Sequence, residues 1–162
     1  FACDLKKWLH IMEAYESGAH MYHATMPTDA LAQLRDVMKE TQSYGFAKVK
    51  QEQHELGQQV RSLLESRGFK SVAAQGFQAP GVVVSYTQDA EIQNSKKFLS
   101  LGLQTAAGVP LQCDEPKDFM TFRIGLFGLE KLHNPARSVQ QLAQALDEMG
   151  YLPVEAKEPA MA

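Results

Sequence analysis

The sequence predicts an α+β domain in which a small, mostly antiparallel sheet is covered by helices on one side. In the first part of the chain, apolar side chains recur every three or four positions, which is the spacing of amphipathic helices. After residue 80, two short segments are β-branched or alternate apolar and polar residues, as strands do. With 162 residues, 44% apolar and 22% charged, the chain is long enough to form one fair-sized core.

Five helices are predicted, each from an apolar stripe bounded by residues that start or stop a helix. Asp4 can cap the first helix, and Asn134-Pro135 supplies a cap and a first-turn proline for the last. The predicted helices cover about residues 5–17, 27–43, 46–67, 90–103 and 135–149. In the fourth, the side chains expected to face inward are Ile92, Leu99 and Leu103.

Two strands are predicted in the second half of the chain. Residues 81–86 are short and β-branched, as in a buried strand, and residues 69–74 can pair with them. In residues 120–126 the apolar side chains alternate onto one face, so that Thr121, Arg123 and Gly125 share the other.

Composition and charge exclude several classes of function. The 16 basic residues are balanced by 19 acidic ones, and no basic face is present, which argues against nucleic-acid binding. No apolar stretch approaches the roughly 20 residues of a membrane helix, and the first residues do not resemble a signal peptide. Cys3 and Cys113 fit neither a zinc site nor a redox pair, so we expect free thiols and a cytoplasmic setting.

Arg123 is the most unusual residue of the predicted sheet, because its neighbours in the strand are Phe122 and Ile124. A guanidinium there must be paired or solvated. A structural salt bridge and a water-facing arginine are the simpler interpretations. The alternative is recognition of a carboxylate, whose two oxygens match the planar fork of donors. Gly125 favours that alternative, because it leaves room beside the fork.

The loop before the second helix contains Tyr22 and Thr25, whose hydroxyl groups are suited to binding a phosphate. A packed ring and a helix cap explain the same residues without a ligand. His20 and His23 have no carboxylate or cysteine at a ligand-like spacing. We therefore predict no metal site and expect both histidines to face solvent.

Three passages together resemble the C-terminal part of class V aminotransferases, in the branch of alanine–glyoxylate and serine–pyruvate enzymes. Residues 21–27 (MYHATMP) are similar to the family's Tyr-His-x-Thr-x-Pro loop. Residues 102–110 (GLQTAAGVP) are similar to its glycine-rich segment, and residues 122–128 (FRIGLFG) to its Arg-Ile-Gly strand. Order and spacing agree as well, and the resemblance extends from residue 1 to about residue 149.

The resemblance implies the small C-terminal domain of a fold type I enzyme that uses pyridoxal 5'-phosphate. It places Tyr22 and Thr25 on the phosphate of a cofactor bound chiefly by the neighbouring subunit of a homodimer. It also gives Arg123 the role of binding the α-carboxylate of the substrate. The Schiff-base lysine would precede residue 1, so no catalytic residue is expected within this chain, and the chain alone is expected to be inactive.

The expected organisation has three parts: residues 1–26 as a connecting helix and phosphate loop from the end of the large domain, 27–151 as the small domain, and 152–162 as a flexible tail. The absence of an initiator methionine also suggests a fragment. The implied reaction transfers an amino group between alanine or serine and glyoxylate or pyruvate. Two alternatives remain open, an aminoethylphosphonate–pyruvate transaminase and a non-catalytic module that binds a small carboxylate.

Overall fold

The computed structural model describes residues 3–154 and contains helices and one sheet. The helices are α1 (Leu5–Glu16), α2 (Thr28–Tyr44), α3 (Phe46–Ser66), α4 (Ala90–Gln93), α5 (Lys96–Ser100), α6 (Leu129–His133) and α7 (Pro135–Glu148). The strands are β1 (Val82–Tyr86), β2 (Ala106–Ala107) and β3 (Thr121–Gly125). The chain divides into two compact units, and the boundary in the sequence falls between Ser43 and Tyr44. The domain boundaries expected from the sequence stay predictions, and most of the expected tail lies outside the described residues.

The first unit contains α1 and most of α2. The Asp4 carboxylate accepts a hydrogen bond from the Lys7 backbone N–H at 3.0 Å, so the predicted cap of α1 is confirmed. Ile11 is buried, but the apolar stripes of both helices are largely exposed. The exposed stripe residues are Leu5, Leu9, Met12, Leu31, Leu34 and Met38.

The second unit contains an antiparallel sheet in the order β1-β3-β2, with helices packed on one face. Val83 of β1 and Phe122 of β3 point into a core that α3 and α7 cover with Leu56 and Leu146. The predicted fold class is therefore confirmed. Residues 69–74 pair with β1 as expected, through a single bridge between Ser71 and Ser85 rather than a regular strand.

The prediction of a single helix over residues 90–103 is wrong, because the helix is interrupted between α4 and α5. The Asn94 side chain accepts the Lys96 backbone N–H at 3.1 Å, and Ser95 takes a left-handed conformation with φ 69°. Such local side-chain bonds compete with the helical pattern. The break turns Phe98 fully into the core and leaves Leu99 65% exposed, although Leu99 was expected to face inward.

Two short elements are not predicted by the sequence. One is β2, which has two residues and pairs with β3. The other is α6, a single turn of helix between β3 and α7. Neither is long enough to produce a hydrophobic period, and both depend on tertiary contacts for their stability.

Asp89 links the start of α4 to α5 and to Tyr151, which follows α7. Its carboxylate accepts hydrogen bonds from Lys97 Nζ at 2.5 Å and from the Tyr151 hydroxyl at 2.9 Å. It also caps α4 by accepting the backbone N–H groups of Glu91 and Ile92. These hydrogen bonds lower the pKa of Asp89 from its ordinary 3.8 to about 2, and the bond from Lys97 has the largest effect.

Acid should therefore destabilise the second unit through Asp89. Because the folded-state pKa is depressed, the stabilisation is complete above about pH 3.8 and is lost as the pH falls towards 2. Asp89→Asn should lower the melting temperature at pH 6 and reduce its decrease between pH 5 and pH 2.5. Thermal unfolding followed by circular dichroism measures both effects. Asp118→Asn is the control, and an Asp89→Asn protein with an unchanged acid profile would contradict this assignment.

Candidate carboxylate and phosphate sites

Arg123 lies in the middle of β3, which is the central strand of the sheet. Its backbone is opposite Val84 on β1 and Ala106 on β2. Its neighbours in the strand, Phe122 and Ile124, point into the core, as the alternating pattern predicted. The half-buried arginine side chain is therefore on the sheet face opposite the helices.

The guanidinium of Arg123 has one hydrogen-bond partner in the described part of the chain. Its Nε donates to the backbone carbonyl of Ala107 at 2.9 Å. Across residues 3–154 no carboxylate lies within ion-pair distance of it, which excludes the structural salt bridge there. A carbonyl partner leaves the positive charge uncompensated, and the four N–H groups of Nη1 and Nη2 remain for a bidentate acid.

Gly125 lies two residues along the same face of β3. A Cβ atom built on this glycine would have no heavy atom within 4 Å. The space that the sequence predicted beside the arginine is therefore open. A carboxylate approaching the guanidinium would meet no side chain at position 125.

Glu115 is a carboxylate in the loop before β3, but its own loop holds it. The backbone N–H of Gln112 donates to Glu115 Oε1 at 3.0 Å, and that of Cys113 to Oε2 at 2.8 Å. These hydrogen bonds, led by that of Gln112, lower the pKa of Glu115 to about 2. Glu115 is thus an ionised group with its own partners, and it leaves Arg123 free for an external acid.

Tyr22 and Thr25 lie in the loop between α1 and α2. The two side-chain oxygens are 3.5 Å apart, and the Tyr22 side chain is 78% exposed. Two neighbouring hydroxyl groups can both donate to one phosphate, so the arrangement fits the predicted role. Asp29 in the first turn of α2 is unfavourable for an anion at the start of that helix, which makes the hydroxyl pair the better donor set.

The prediction that His23 faces solvent is wrong. It is half-buried, and its ring meets the Trp8 ring edge-on with 5.3 Å between centroids. His20 is exposed, as expected. Within residues 3–154, no group of three or more histidine, cysteine or acidic side chains is placed to hold a metal ion. Cys3 and Cys113 are both free and exposed.

A separate cleft of about 1020 Å³ lies beside the Asp89 cluster. Lys70, Asp89, Asp118 and Tyr151 line it, and Arg123 does not. Arg67 and Lys70 in its wall offset the two carboxylates, so the charge of the cleft gives no preference for an acidic ligand. Arg123 is therefore a better candidate for binding an acid than this cleft.

In the described part of the chain, no helix is both long and apolar enough to cross a membrane.

Two solved structures with a similar fold are aminotransferases. Alanine–glyoxylate aminotransferase from Nostoc sp. matches 86% of this chain with a TM-score of 0.66 and 19% sequence identity. Ureidoglycine–glyoxylate aminotransferase from Bacillus subtilis matches 92% of the chain with a TM-score of 0.64 and 17% identity. The chain spans 36% and 38% of the lengths of these two proteins. No protein-family model and no curated protein matches the chain.

These matches confirm the fold that the resemblance implied, a small helix-covered antiparallel sheet like the C-terminal domain of such aminotransferases. The sequence singled out the arginine, the glycine beside it and the hydroxyl pair as candidates, and their roles stay predictions. Sequence reasoning missed the Ala107 carbonyl, because a strand of two small residues carries no pattern that marks it as a partner of Arg123.

Proposed function

We propose that this chain is the C-terminal part of an aminotransferase that uses pyridoxal 5'-phosphate and that Arg123 binds the α-carboxylate of its substrates. The observation that carries the proposal is the guanidinium itself. It is held through Nε, has no ion-paired carboxylate in residues 3–154 and lies beside open space at Gly125. With Nε occupied, the acid approaches the Nη1 and Nη2 edge, which fixes its orientation in the site.

The substrates we propose are alanine or serine as amino donor and glyoxylate or pyruvate as acceptor. Both structural neighbours are named for glyoxylate, which supports a small 2-oxo acid. A single guanidinium also suits an acid with one carboxylate. Aminoethylphosphonate as donor is the rival within the same class of enzyme.

Tyr22 and Thr25 are the residues we assign to the cofactor phosphate. Their adjacent exposed hydroxyl groups fit that role. The bound cofactor would act as the electron sink of the reaction. The role of this chain is to donate hydrogen bonds to the phosphate and to hold the substrate acid, while the Schiff-base lysine belongs to a preceding segment. By itself the chain is therefore expected to be inactive.

A larger assembly is part of this proposal. The apolar stripes of α1 and α2 are exposed, with Leu34 at 55% and Met38 at 62%. Exposed apolar surface of this kind marks contact with further protein. We assign it to the preceding domain and to the second subunit of a homodimer, in a cytoplasmic enzyme.

The reaction itself can be tested on the complete polypeptide that contains this sequence. With alanine or serine and glyoxylate or pyruvate, we expect amino transfer that requires pyridoxal 5'-phosphate. Aminoethylphosphonate is included as a donor to test the rival. Amino transfer that persists without the cofactor, or none with any 2-oxo acid, would contradict the proposal. Acid binding without turnover would favour the non-catalytic module.

Removing both hydroxyl groups from the phosphate loop should weaken cofactor retention. Hydrogen bonds to a charged group contribute about 1.5–3 kcal/mol each, so Tyr22→Phe with Thr25→Ala should raise the cofactor dissociation constant by about a hundredfold or more. Cofactor absorbance after dialysis measures this. Tyr15→Phe, which removes an exposed phenol from α1, is the matched control. Equal cofactor content in the double variant and the control would remove the pair from the phosphate site.

A further inference from the structure

We propose that Gln93 is a positioning residue for Arg123, acting through the backbone of Gly108 and Ala107. This inference rests on the proposed carboxylate role of Arg123 and extends it to a residue outside the strand. Gln93 is the last residue of α4 and is half-buried. Nothing in the sequence pattern distinguishes it from the other glutamines of the chain.

Gln93 and Gly108 are joined by two hydrogen bonds. The Gly108 backbone N–H donates to the Gln93 carbonyl oxygen at 3.3 Å, and Gln93 Nε2 donates to the Gly108 carbonyl oxygen, also at 3.3 Å. The glutamine thus binds both backbone groups of one residue. This reciprocal pair restrains the peptide units on either side of Gly108.

The restrained backbone is the one that orients the guanidinium. Ala107 is directly before Gly108, and its carbonyl oxygen accepts the Arg123 Nε hydrogen at 2.9 Å. Gly108 also packs so closely on β3 that a Cβ atom there would lie 1.9 Å from the Thr121 carbonyl oxygen. The carbonyl that holds Nε is therefore fixed from one side by Gln93 and from the other by the β3 backbone.

Gln93 can serve as an anchor because α4 is itself fixed. Ile92, the residue before it, is fully buried in the core. The start of α4 is capped by Asp89, which Lys97 and Tyr151 bind in turn. The backbone from which the Gln93 side chain extends is therefore held in place.

Gln93 affects the geometry with which Arg123 binds an acid and leaves the charge of the guanidinium unchanged. A bidentate pair needs both Nη groups in the plane of the carboxylate. If the Ala107 carbonyl shifts, the long arginine side chain regains rotamer freedom that substrate binding must then remove. Loss of the Gln93 side-chain bond should therefore weaken acid binding while leaving the charge of Arg123 in place.

The test measures glyoxylate binding by calorimetry on the complete, cofactor-loaded protein without an amino donor, so that no turnover occurs. Gln93→Met keeps the size of the side chain and removes its donor; Gln93→Asn, too short to reach Gly108, is the second variant. We expect the dissociation constant to rise roughly three- to tenfold in each, the range for one neutral hydrogen bond. Gln141→Met, an exposed substitution on α7, should bind like the unsubstituted protein.

A double-variant cycle separates positioning from a general structural effect. If Gln93 acts through the guanidinium, Gln93→Met should have little further effect once Arg123 is lysine. An equal loss in the Arg123→Lys background, or unchanged binding by both Gln93 variants while Arg123→Lys binds weakly, would overturn the positioning role alone. Glyoxylate binding that is absent from the unsubstituted protein, or equally strong in Arg123→Lys, would contradict the proposed function and this inference with it.

Discussion

Arg123→Lys in the complete enzyme is expected to raise the KM for both the amino acid and the 2-oxo acid by roughly 10- to 100-fold. Lysine keeps the positive charge but cannot bind two carboxylate oxygens in one plane. It also lacks the Nε–H that now binds the Ala107 carbonyl. Steady-state kinetics with each substrate varied in turn measures the effect.

The matched control for this substitution is Arg137→Lys on the exposed side of α7. Neither variant should change the absorbance of the bound cofactor, because Arg123 is assigned to the substrate and not to the phosphate. A KM in Arg123→Lys equal to that of the control would contradict the carboxylate role. A lost cofactor band would show that the substitution had damaged more than the acid site.

Gly108→Ala is expected to lower the free energy of unfolding by about 1–3 kcal/mol, the range for overpacking at a tight contact. The new Cβ atom would lie 1.9 Å from the Thr121 carbonyl oxygen and 2.4 Å from its hydroxyl, so that the backbone of β2 or β3 must move. That movement should also displace the Ala107 carbonyl from Arg123. Urea unfolding and the KM for glyoxylate measure the two consequences.

Gly125→Ala makes the same chemical change on β3 and serves as the control for stability. Its Cβ would meet no heavy atom within 4 Å, so the free energy of unfolding should change little. Because the methyl group would occupy space beside the guanidinium, the KM should still increase. If Gly108→Ala proved as stable as Gly125→Ala, the close contact between Gly108 and β3 would be wrong.

Much of the fold could be predicted because it is encoded locally. Asp4 and Asn134 each cap a helix with their own side chains, as their positions in the sequence indicated. The alternation around Arg123 fixed which face of β3 is buried, since successive side chains of a strand point to opposite sides. These signals need only neighbouring residues.

The errors occur where a local side-chain bond or a tertiary contact overrides the apolar pattern. The stripe over residues 90–103 suggested one helix, but the local bond of Asn94 and the burial of Phe98 favour two short ones. The pattern in α1 and α2 correctly predicted amphipathic helices, yet the apolar stripe of each helix is largely exposed. A periodic pattern shows that a face is apolar without showing what covers it.

The residues of the candidate site also differ in whether the sequence alone could indicate them. Arg123 could be predicted because an arginine between core residues conflicts with its surroundings, and such conflicts indicate function. Gln93 could not be predicted, because its two bonds to Gly108 join residues that are 15 positions apart. Hydrogen bonds to backbone groups that are distant in sequence depend on the folded path of the chain and leave no mark on residue type.

The most direct test is a crystal structure of the complete protein with pyridoxal 5'-phosphate and glyoxylate. We predict that both glyoxylate carboxylate oxygens lie within hydrogen-bond distance of Arg123 Nη1 and Nη2, with Nε still bonded to the Ala107 carbonyl. A carboxylate bound elsewhere, or Arg123 paired with an aspartate or glutamate of the enzyme, would contradict the assignment.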